Sequence, residues 1–261
     1  MIETKPPQVP GPPRVPGPPP APSGAATDHG NAASTAEVGA MFDRIAPRYD
    51  AMNALISGFQ EPRWRRRAIA LAELGPGMSA IDIATGTGKV AMGLADLVGT
   101  FGHVLGVDVS NAMIDRARRA NADRVELEFL VGDALHLPAE DRTFDACTIA
   151  FGMRNLPDYE AAFREMRRVV RPGGRVVCLE IARPRSFVGR LGGVWFERAV
   201  PLLGRLIGER DAYAYLVASV RAYPSPEHIA ETMRAAGLVD VRWVPLTFGM
   251  VTAHIGSRGT D

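Results

Sequence analysis

The sequence contains only two cysteines, Cys147 and Cys178, and no long hydrophobic run. Two isolated thiols exclude a zinc knuckle or a disulfide framework and are typical of a reducing cytosol, so we expect both to be buried strand residues. No apolar signal-peptide core is present, and no stretch of about 18 uncharged apolar residues occurs. We therefore expect a cytoplasmic protein that neither follows that secretory route nor spans a membrane.

The chain also lacks an excess of charge of either sign. Thirty basic and 29 acidic side chains give a formal net charge of +1, so bulk electrostatics do not favour nucleic acid as a partner. With 261 residues, of which 46% are hydrophobic, the chain can bury the core of one ordinary domain.

The first 36 residues differ from the rest in being rich in proline, as in PPQVPGPPRVPGPPPAPSG. Prolines remove backbone donors, and almost no apolar side chain is available for packing, so residues 1–36 are predicted to form a disordered, partly polyproline II tail. A ligand for a proline-binding module is the alternative. The folded domain is predicted to span residues 37–261.

Helical and extended patterns then follow one another. Residues 40–74 show apolar side chains at three- and four-residue steps, which predicts N-terminal amphipathic helices, and the three arginines of WRRRAIA are most simply a solvated face. The later segments alternate strands with helices, which indicates a doubly wound, mostly parallel α/β sheet. The seven predicted strands are residues 79–84, 103–107, 126–131, 144–150, 175–181, 239–246 and 251–256.

A glycine-rich bend follows the first predicted strand, in IDIATGTGKVAMGLADLVG. Gly86 and Gly88 can adopt backbone angles that other residues resist, and the next helix offers free N–H groups to a ligand. Asp108 ends the second predicted strand, twenty positions beyond Gly88, where its carboxylate can accept hydrogen bonds from the hydroxyls of a ribose. Together these features predict a nucleoside site, although Gly86-x-Gly88-x-x-Ala91 also satisfies a relaxed nicotinamide-dinucleotide fingerprint.

The later segments separate these alternatives. GDALHLP, FDACTIAFGMRN and RVVRPGGRVVCLEI follow in an order that resembles the class I S-adenosylmethionine-dependent methyltransferases, a Rossmann-like fold whose C-terminal strand pair is antiparallel. Over nearly all of residues 37–258, the sequence is similar to the UbiE/MenG family of quinone-biosynthesis C-methyltransferases. The resemblance is strongest in MFDRIAPRYDAMN, DIATGTG, AFGMRN and LTFGMVTAHIG.

The resemblance implies methyl transfer from S-adenosyl-L-methionine to a ring carbon of a prenylated quinol in menaquinone or ubiquinone biosynthesis. It places the methionine part on the glycine loop, the ribose on Asp108 and the adenine edge on the GDA segment. The cofactor residues expected from it are Asp82, Ala84, Gly86, Thr87, Gly88, Asp108, Val109, Asp133, Ala134 and Ala150. No metal is required.

Two positions depart from the family pattern. Lys89 stands where an acid usually follows GTG, and Ala150 stands where a serine usually precedes FG. Lys89 either extends outward from a helix start, where the dipole disfavours a cation, or alters the preference for substrate or cofactor.

The catalytic chemistry suggests further candidates. Since the sulfonium methyl is already electrophilic, the protein must align an aromatic carbon with it and deprotonate the neighbouring phenol. Arg154 could stabilise the phenolate and Asn155 could orient it, although Arg154 could equally be a surface residue. The candidates for the base are Tyr49, Asp50, Tyr215, Tyr223 and His254, although the tyrosines could simply be packed.

Residues 185–222 form a predicted lid-like insertion. The segment FVGRLGGVWFERAVPLLGRLIG could cover an isoprenoid tail, rest on a membrane surface, form a homodimer contact or pack in the core.

Two other functions stay open beside the quinol C-methyltransferase. These are a related methyltransferase for another small aromatic or natural product, and a nucleotide-binding protein without methyl transfer.

Overall fold

Three helices open the folded part of the chain. The computed structural model describes residues 34–182 and 210–260, and its first helix, α1, spans Thr35–Ile45. Ser34 and Glu37 close a capping box at its start, which satisfies two backbone donors that a helix end leaves free. The predicted boundary at residue 37 therefore falls inside α1. The predicted tail up to residue 33 and residues 185–209 of the predicted lid-like insertion lie outside the described residues.

The amphipathic pattern of residues 40–74 is confirmed as helical. A 3-10 turn at Ala46–Arg48 contains Pro47, and helices α2 (Tyr49–Ile56) and α3 (Glu61–Leu71) follow it. Within the triple-arginine segment, Arg66 and Arg67 are exposed, whereas Arg65 is held by Glu61.

A seven-stranded sheet forms the centre, as the sequence predicts. Its strands are β1 (Ser79–Ile83), β2 (His103–Asp108), β3 (Leu127–Val131), β4 (Phe144–Ala150), β5 (Val170–Ile181), β6 (Leu238–Leu246) and β7 (Val251–Arg258). The order is β3-β2-β1-β4-β5-β7-β6. Neighbours from β3 to β5 are parallel, and β7 pairs antiparallel with both β5 and β6. The doubly wound fold with an antiparallel C-terminal pair is confirmed.

Five further helices within the described residues cover the sheet. They are α4 (Lys89–Val98), α5 (Asn111–Ala120), α6 (Tyr159–Val169), α7 (Arg210–Ala222) and α8 (Pro226–Ala235). Ser110, Asp158 and Ser225 accept backbone hydrogen bonds as the N-caps of α5, α6 and α8, which explains where these helices begin. None of the helices within these described stretches is long and apolar enough to cross a membrane.

The core consists of two buried layers, one on each face of the sheet. Alternate strand residues such as Ile81 and Cys147 pack with α6 and α8, while Ala80, Ala146 and their equivalents pack with α3, α4 and α5. Cys147 and Cys178 are free and fully buried in β4 and β5, as predicted. The chain leaves β1 in one direction and β4 in the other, so the carboxyl ends of these strands border a crevice.

Candidate active site

The loop after β1 has the backbone conformation that its glycines permit. Gly86 and Gly88 have positive φ values of 57° and 81°, and Ala84 has a φ of 50°. A Cβ atom on Gly88 would lie 2.9 Å from Cζ of Phe129, so this position requires glycine both for its angles and for its space. The loop thus presents its main chain to the crevice and leads directly into α4.

Asp108 is fixed at the end of β2 by two backbone donors. Its Oδ2 accepts from the Gly86 N–H at 2.8 Å and its Oδ1 from the Ser110 N–H at 2.9 Å. Burial raises the pKa of Asp108, while these hydrogen bonds favour the charged form. A carboxylate offers about four acceptor positions, so the group can still receive the hydroxyls of a ribose.

A cavity with about 660 Å³ of open space lies at the carboxyl ends of the strands, and we call it the cofactor cavity. Predicted residues that line it are Ala84, Gly86, Asp108, Val109, Asp133, Ala134, Ala150, Tyr49 and Asn155. Helix α1 closes one side with Val38 and Phe42, and the Oδ1 atom of Asp43 holds α1 against the start of α5 through Ser110 and Ala112.

Three predicted cofactor residues do not line this cavity. Asp82 is buried in β1, where its two oxygens accept from the hydroxyls of Thr85 and Thr148, each at 2.6 Å. Burial raises the pKa of Asp82 to about 6, and the two hydroxyls oppose this shift. Asp82 therefore contacts the glycine loop through Thr85 and does not line the cofactor cavity. Gly88 packs on Phe129 instead, and Thr87 donates to Oδ1 of Asp50 at 3.0 Å.

The unusual Lys89 has a partner on α2. Its Nζ lies 2.9 Å from Oδ1 of Asp50, the same oxygen that accepts from Thr87. The cation that the helix dipole disfavours is therefore compensated by a carboxylate. Asp50 thus binds the glycine loop and α4, and it does not line the cofactor cavity.

A second cavity, the acceptor cavity, holds about 850 Å³ of open space beside the first. Its wall is largely apolar and includes Ile56, Trp64, Ile181, Leu216, Met250 and Val251. Tyr49 and Phe151 line both cavities. Phe151 has a φ of 60°, and its N–H donates to the Leu179 carbonyl at 2.8 Å, which holds the strained residue at the boundary.

Arg154 lines the acceptor cavity and is buried, so it is not a surface residue. Its Nη1 donates to Oε1 of Glu180 at 2.7 Å and to the Phe151 carbonyl at 2.6 Å. The Arg154 side chain is 8% exposed and that of Glu180 is 1% exposed. Among the described residues, the buried Nε of Arg154 has no hydrogen-bond partner.

The other predicted catalytic residues have different surroundings. Burial raises the pKa of Tyr49, so its phenol stays neutral at ordinary pH. The Tyr215 hydroxyl donates to Oδ1 of Asn155 at 3.2 Å. Tyr223 is buried, with its hydroxyl 4.0 Å from Sγ of Cys178.

His254 lies away from both cavities. Its Nε2 is 2.9 Å from the Pro226 carbonyl at the start of α8, and burial lowers its pKa to about 4. The ring sits in the middle of β7, three residues beyond the strand end that reaches the acceptor cavity. The structure therefore does not bring His254 together with the other predicted site residues.

Four features of the site were not predicted from the sequence. They are Phe151 at the boundary of the two cavities, Glu61 in the acceptor cavity, Glu180 as the partner of Arg154, and helix α1 at one side of the cofactor cavity. Glu180 left a signal, because a lone acid within the apolar strand VVCLEI must have a partner if it is buried. Glu61 left none, since an acid in the first turn of a helix is ordinary. The position of α1 over the cavity depends on tertiary packing.

Comparison with known proteins connects this geometry to a family. A model of the ubiE/COQ5 methyltransferase family matches residues 30–258. The chain belongs to this family. A demethylmenaquinone methyltransferase of Thermus thermophilus is 47% identical to this methyltransferase over 221 residues, covering 84% of this chain and 100% of that one. A demethylmenaquinone methyltransferase of Bacillus pumilus is 39% identical over 222 residues, covering 84% and 95%.

Solved structures share the fold of this methyltransferase. A SAM-dependent methyltransferase from Aquifex aeolicus has a TM-score of 0.56 at 18% identity and covers 74% of this chain and 88% of its own. A Thermotoga maritima protein, described as a possible histamine N-methyltransferase, has a TM-score of 0.61 at 20% identity, with coverages of 84% and 99%. At such identities the likeness concerns the fold alone.

Family and fold imply S-adenosyl-L-methionine as the cofactor, and the residues present fit it. The positive-φ loop allows close approach to its main chain, and Asp108 offers the buried carboxylate that a ribose needs. Gly132, Asp133 and Ala134 line the far part of the same cavity, beyond β3.

Proposed function

We propose that this methyltransferase transfers the methyl group of S-adenosyl-L-methionine to a ring carbon of a demethylmenaquinol or a related prenylated benzoquinol. One observation carries the proposal: a cofactor cavity that contains the carboxylates of Asp108 and Asp133 meets a largely apolar acceptor cavity at the shared residues Tyr49 and Phe151. The names of the Thermus and Bacillus relatives support the acceptor class.

The cofactor would be held by the glycine loop, Asp108 and the segment Gly132–Ala134. When bound, S-adenosyl-L-methionine supplies a methyl group on a positively charged sulfur, which is a strong electrophile. The chain itself then has to bring an electron-rich ring carbon to the boundary of the two cavities and exclude water from it.

The acceptor cavity has the composition that a lipophilic quinol needs. Trp64 and Phe151 offer flat apolar surfaces to a ring, and Leu216, Met250 and Val251 line the space open to a prenyl tail. Arg154 supplies a permanent cation at the same cavity, and its partner Glu180 fixes the guanidinium so that little rearrangement is needed when negative charge develops on the ring oxygen.

The acceptor should react only in its reduced state, because the oxidised quinone has no phenol to ionise and its ring is electron-poor. The test uses purified protein, labelled S-adenosyl-L-methionine and a prenylated naphthoquinone with or without dithionite. Mass spectrometry then locates the methyl group. We expect a product methylated on a ring carbon only in the reaction that contains dithionite. Equal labelling of both redox forms, or a methyl group on oxygen, would contradict the proposal.

A peripheral contact with the inner face of the membrane follows from a lipophilic acceptor. Phe59 and Phe248, which are 72% and 67% exposed, adjoin the cavity residues Gly58 and Thr247. The indole N–H of Trp64 on α3 donates to Oγ1 of Thr247 at 2.7 Å and connects α3 to the segment that contains Phe248. We propose that these aromatic side chains of Phe59 and Phe248 rest in the interface of the bilayer.

A homodimer stays a prediction, which analytical ultracentrifugation can test.

A further inference from the structure

The acceptor cavity contains one carboxylate that the predicted bases did not include. Of the described residues that line this cavity, only Tyr49, Glu61 and Arg154 carry ionisable side chains. Tyr49 is held neutral, and Arg154 stays protonated and paired with Glu180. Glu61 is therefore the group in this set that can accept a proton at ordinary pH.

The structure holds Glu61 ready for this role at the start of α3. Its residue is 5% exposed, and its Oε1 accepts from Nη2 of Arg65 at 2.5 Å, while no hydrogen bond from the described chain reaches Oε2. Burial raises the pKa of Glu61, the charges of Arg65 and Lys89 oppose the rise, and Asp50 adds to it. A more basic carboxylate is a better proton acceptor near neutral pH.

The other predicted bases are occupied elsewhere. Asp50 binds Lys89 and Thr87, and His254 and Tyr223 are buried away from the acceptor cavity. The Tyr215 hydroxyl donates a hydrogen bond to Oδ1 of Asn155.

We propose that Glu61 is the general base of the reaction and accepts the phenolic proton of the acceptor. This inference rests on the proposed function. The phenolic O–H bond breaks, the proton passes to Oε2, and the electron pair left on oxygen makes the ring carbon nucleophilic. Formation of the ring carbon–methyl bond is balanced by cleavage of the methyl–sulfur bond, whose electrons stay on sulfur. Loss of the ring C–H proton to water restores aromaticity and leaves a phenolate. The protonated Glu61 returns its proton to this oxygen, so one proton in total reaches solvent.

The kinetic test compares Glu61→Gln with Glu61→Asp and with Glu73→Gln, an exposed carboxylate that pairs with Arg175. Single-turnover transfer to the reduced prenylated naphthoquinol is followed from low to high pH. We expect Glu61→Gln to lose about 100-fold or more in rate, with a partial return at high pH where the phenol ionises by itself. Glu61→Asp should retain an intermediate rate, and Glu73→Gln should match the wild type.

A second measurement does not depend on methyl transfer. A nitronaphthol, whose ionised form absorbs visible light, is titrated while bound to the wild type and to each variant. Because a neighbouring carboxylate disfavours a second negative charge, we expect its bound pKa to be about one pH unit lower in Glu61→Gln than in the wild type. In Glu73→Gln it should be unchanged.

Three results would overturn the inference: a rate for Glu61→Gln within about threefold of the wild type, an identical bound pKa in both proteins, or no binding of the nitronaphthol. A wild type that methylates no prenylated quinol would instead contradict the proposed function, and the nitronaphthol titration would still decide the role of Glu61. Circular dichroism and the melting temperature establish that each variant is folded.

Discussion

The ammonium group of Lys89 and the carboxylate of Asp50 form a 2.9 Å ion pair that joins the start of α4 to α2. This ion pair connects the helix that follows the glycine loop to the N-terminal helices. Asp50 also accepts from Thr87 within the loop itself. The pair should therefore influence cofactor affinity although Lys89 does not line the cofactor cavity.

Lys89→Asp should weaken S-adenosyl-L-methionine binding several-fold, because two carboxylates would then face each other across the loop. Calorimetry provides the affinity. Adding Asp50→Asn to Lys89→Asp should recover much of the loss, whereas the same charge change at the exposed Arg142, Arg142→Asp, should leave the affinity as it is. An additive double variant would mean that the pair is not coupled to the loop.

Asp108→Ala should reduce S-adenosyl-L-methionine affinity by about 10-fold to 150-fold. This range corresponds to the roughly 1.5 to 3 kcal/mol that hydrogen bonds to a charged group contribute. Asp123→Ala, at an exposed aspartate, serves as the control in the same calorimetric titration. Unchanged affinity in a folded Asp108→Ala protein would remove Asp108 from the cofactor site.

Arg154→Met should lower both stability and turnover. It leaves Glu180 buried without its partner, which costs about 3 to 5 kcal/mol in such pairs, or about 10 °C in melting temperature. The double variant Arg154→Met with Glu180→Met should be more stable than Arg154→Met alone, because no buried charge remains. Thermal denaturation decides between this order and its reverse.

The kinetic effect of Arg154 should be separable from its effect on the fold. Arg154→Lys keeps the charge but loses the planar donor, so we expect methyl transfer to fall far more than cofactor affinity. Parallel changes in both quantities would indicate a purely structural role.

Much of this architecture could be predicted because it depends on local patterns. The seven strands and the family membership are confirmed, since periodicity and motif order reflect short segments of chain. Partner choice is different, because the contact between Asp50 and Lys89 joins positions 39 residues apart and depends on how α2 packs over the loop. The predicted roles of the site residues stay predictions, and geometry now separates Asp108 from Asp82, although each is an acid in or at the end of a buried strand.

The buried Asp82 predicts a distinct pH dependence. Its pKa is raised from 3.8 to about 6, so between these values the folded state holds a proton that the unfolded state has lost. The wild type should therefore lose up to about 3 kcal/mol from this group as pH rises from about 4 to 6. Asp82→Asn lacks this loss, and urea titrations of both proteins at several pH values measure the difference.

His254 makes that comparison necessary. Its pKa is lowered to about 4, so in the same range the unfolded state binds the extra proton and stability from this group rises with pH. The two contributions oppose each other in the wild type. Subtracting the Asp82→Asn curve isolates the carboxylate, and a constant difference from pH 4 to 7 would contradict its raised pKa.

Deleting residues 1–33 should leave the melting temperature and methyl transfer nearly unchanged, because a proline-rich segment with few apolar side chains cannot support the core. Deleting residues 1–37 should cost about 1 kcal/mol, since Ser34 and Glu37 cap α1. It should also weaken cofactor binding, because α1 closes the cofactor cavity. A melting temperature several degrees lower in the protein that lacks residues 1–33 would show that the tail packs on the domain.

Because Tyr49 and Phe151 belong to both cavities, the two ligands cannot bind independently if either ring adjusts its position. Thermodynamic linkage then requires that whatever factor the cofactor contributes to acceptor affinity, the acceptor returns to cofactor affinity. The demethylated cofactor product would be coupled to the acceptor through the same wall. Two aromatic residues at one boundary thereby couple the affinities for the cofactor, the acceptor and the demethylated product.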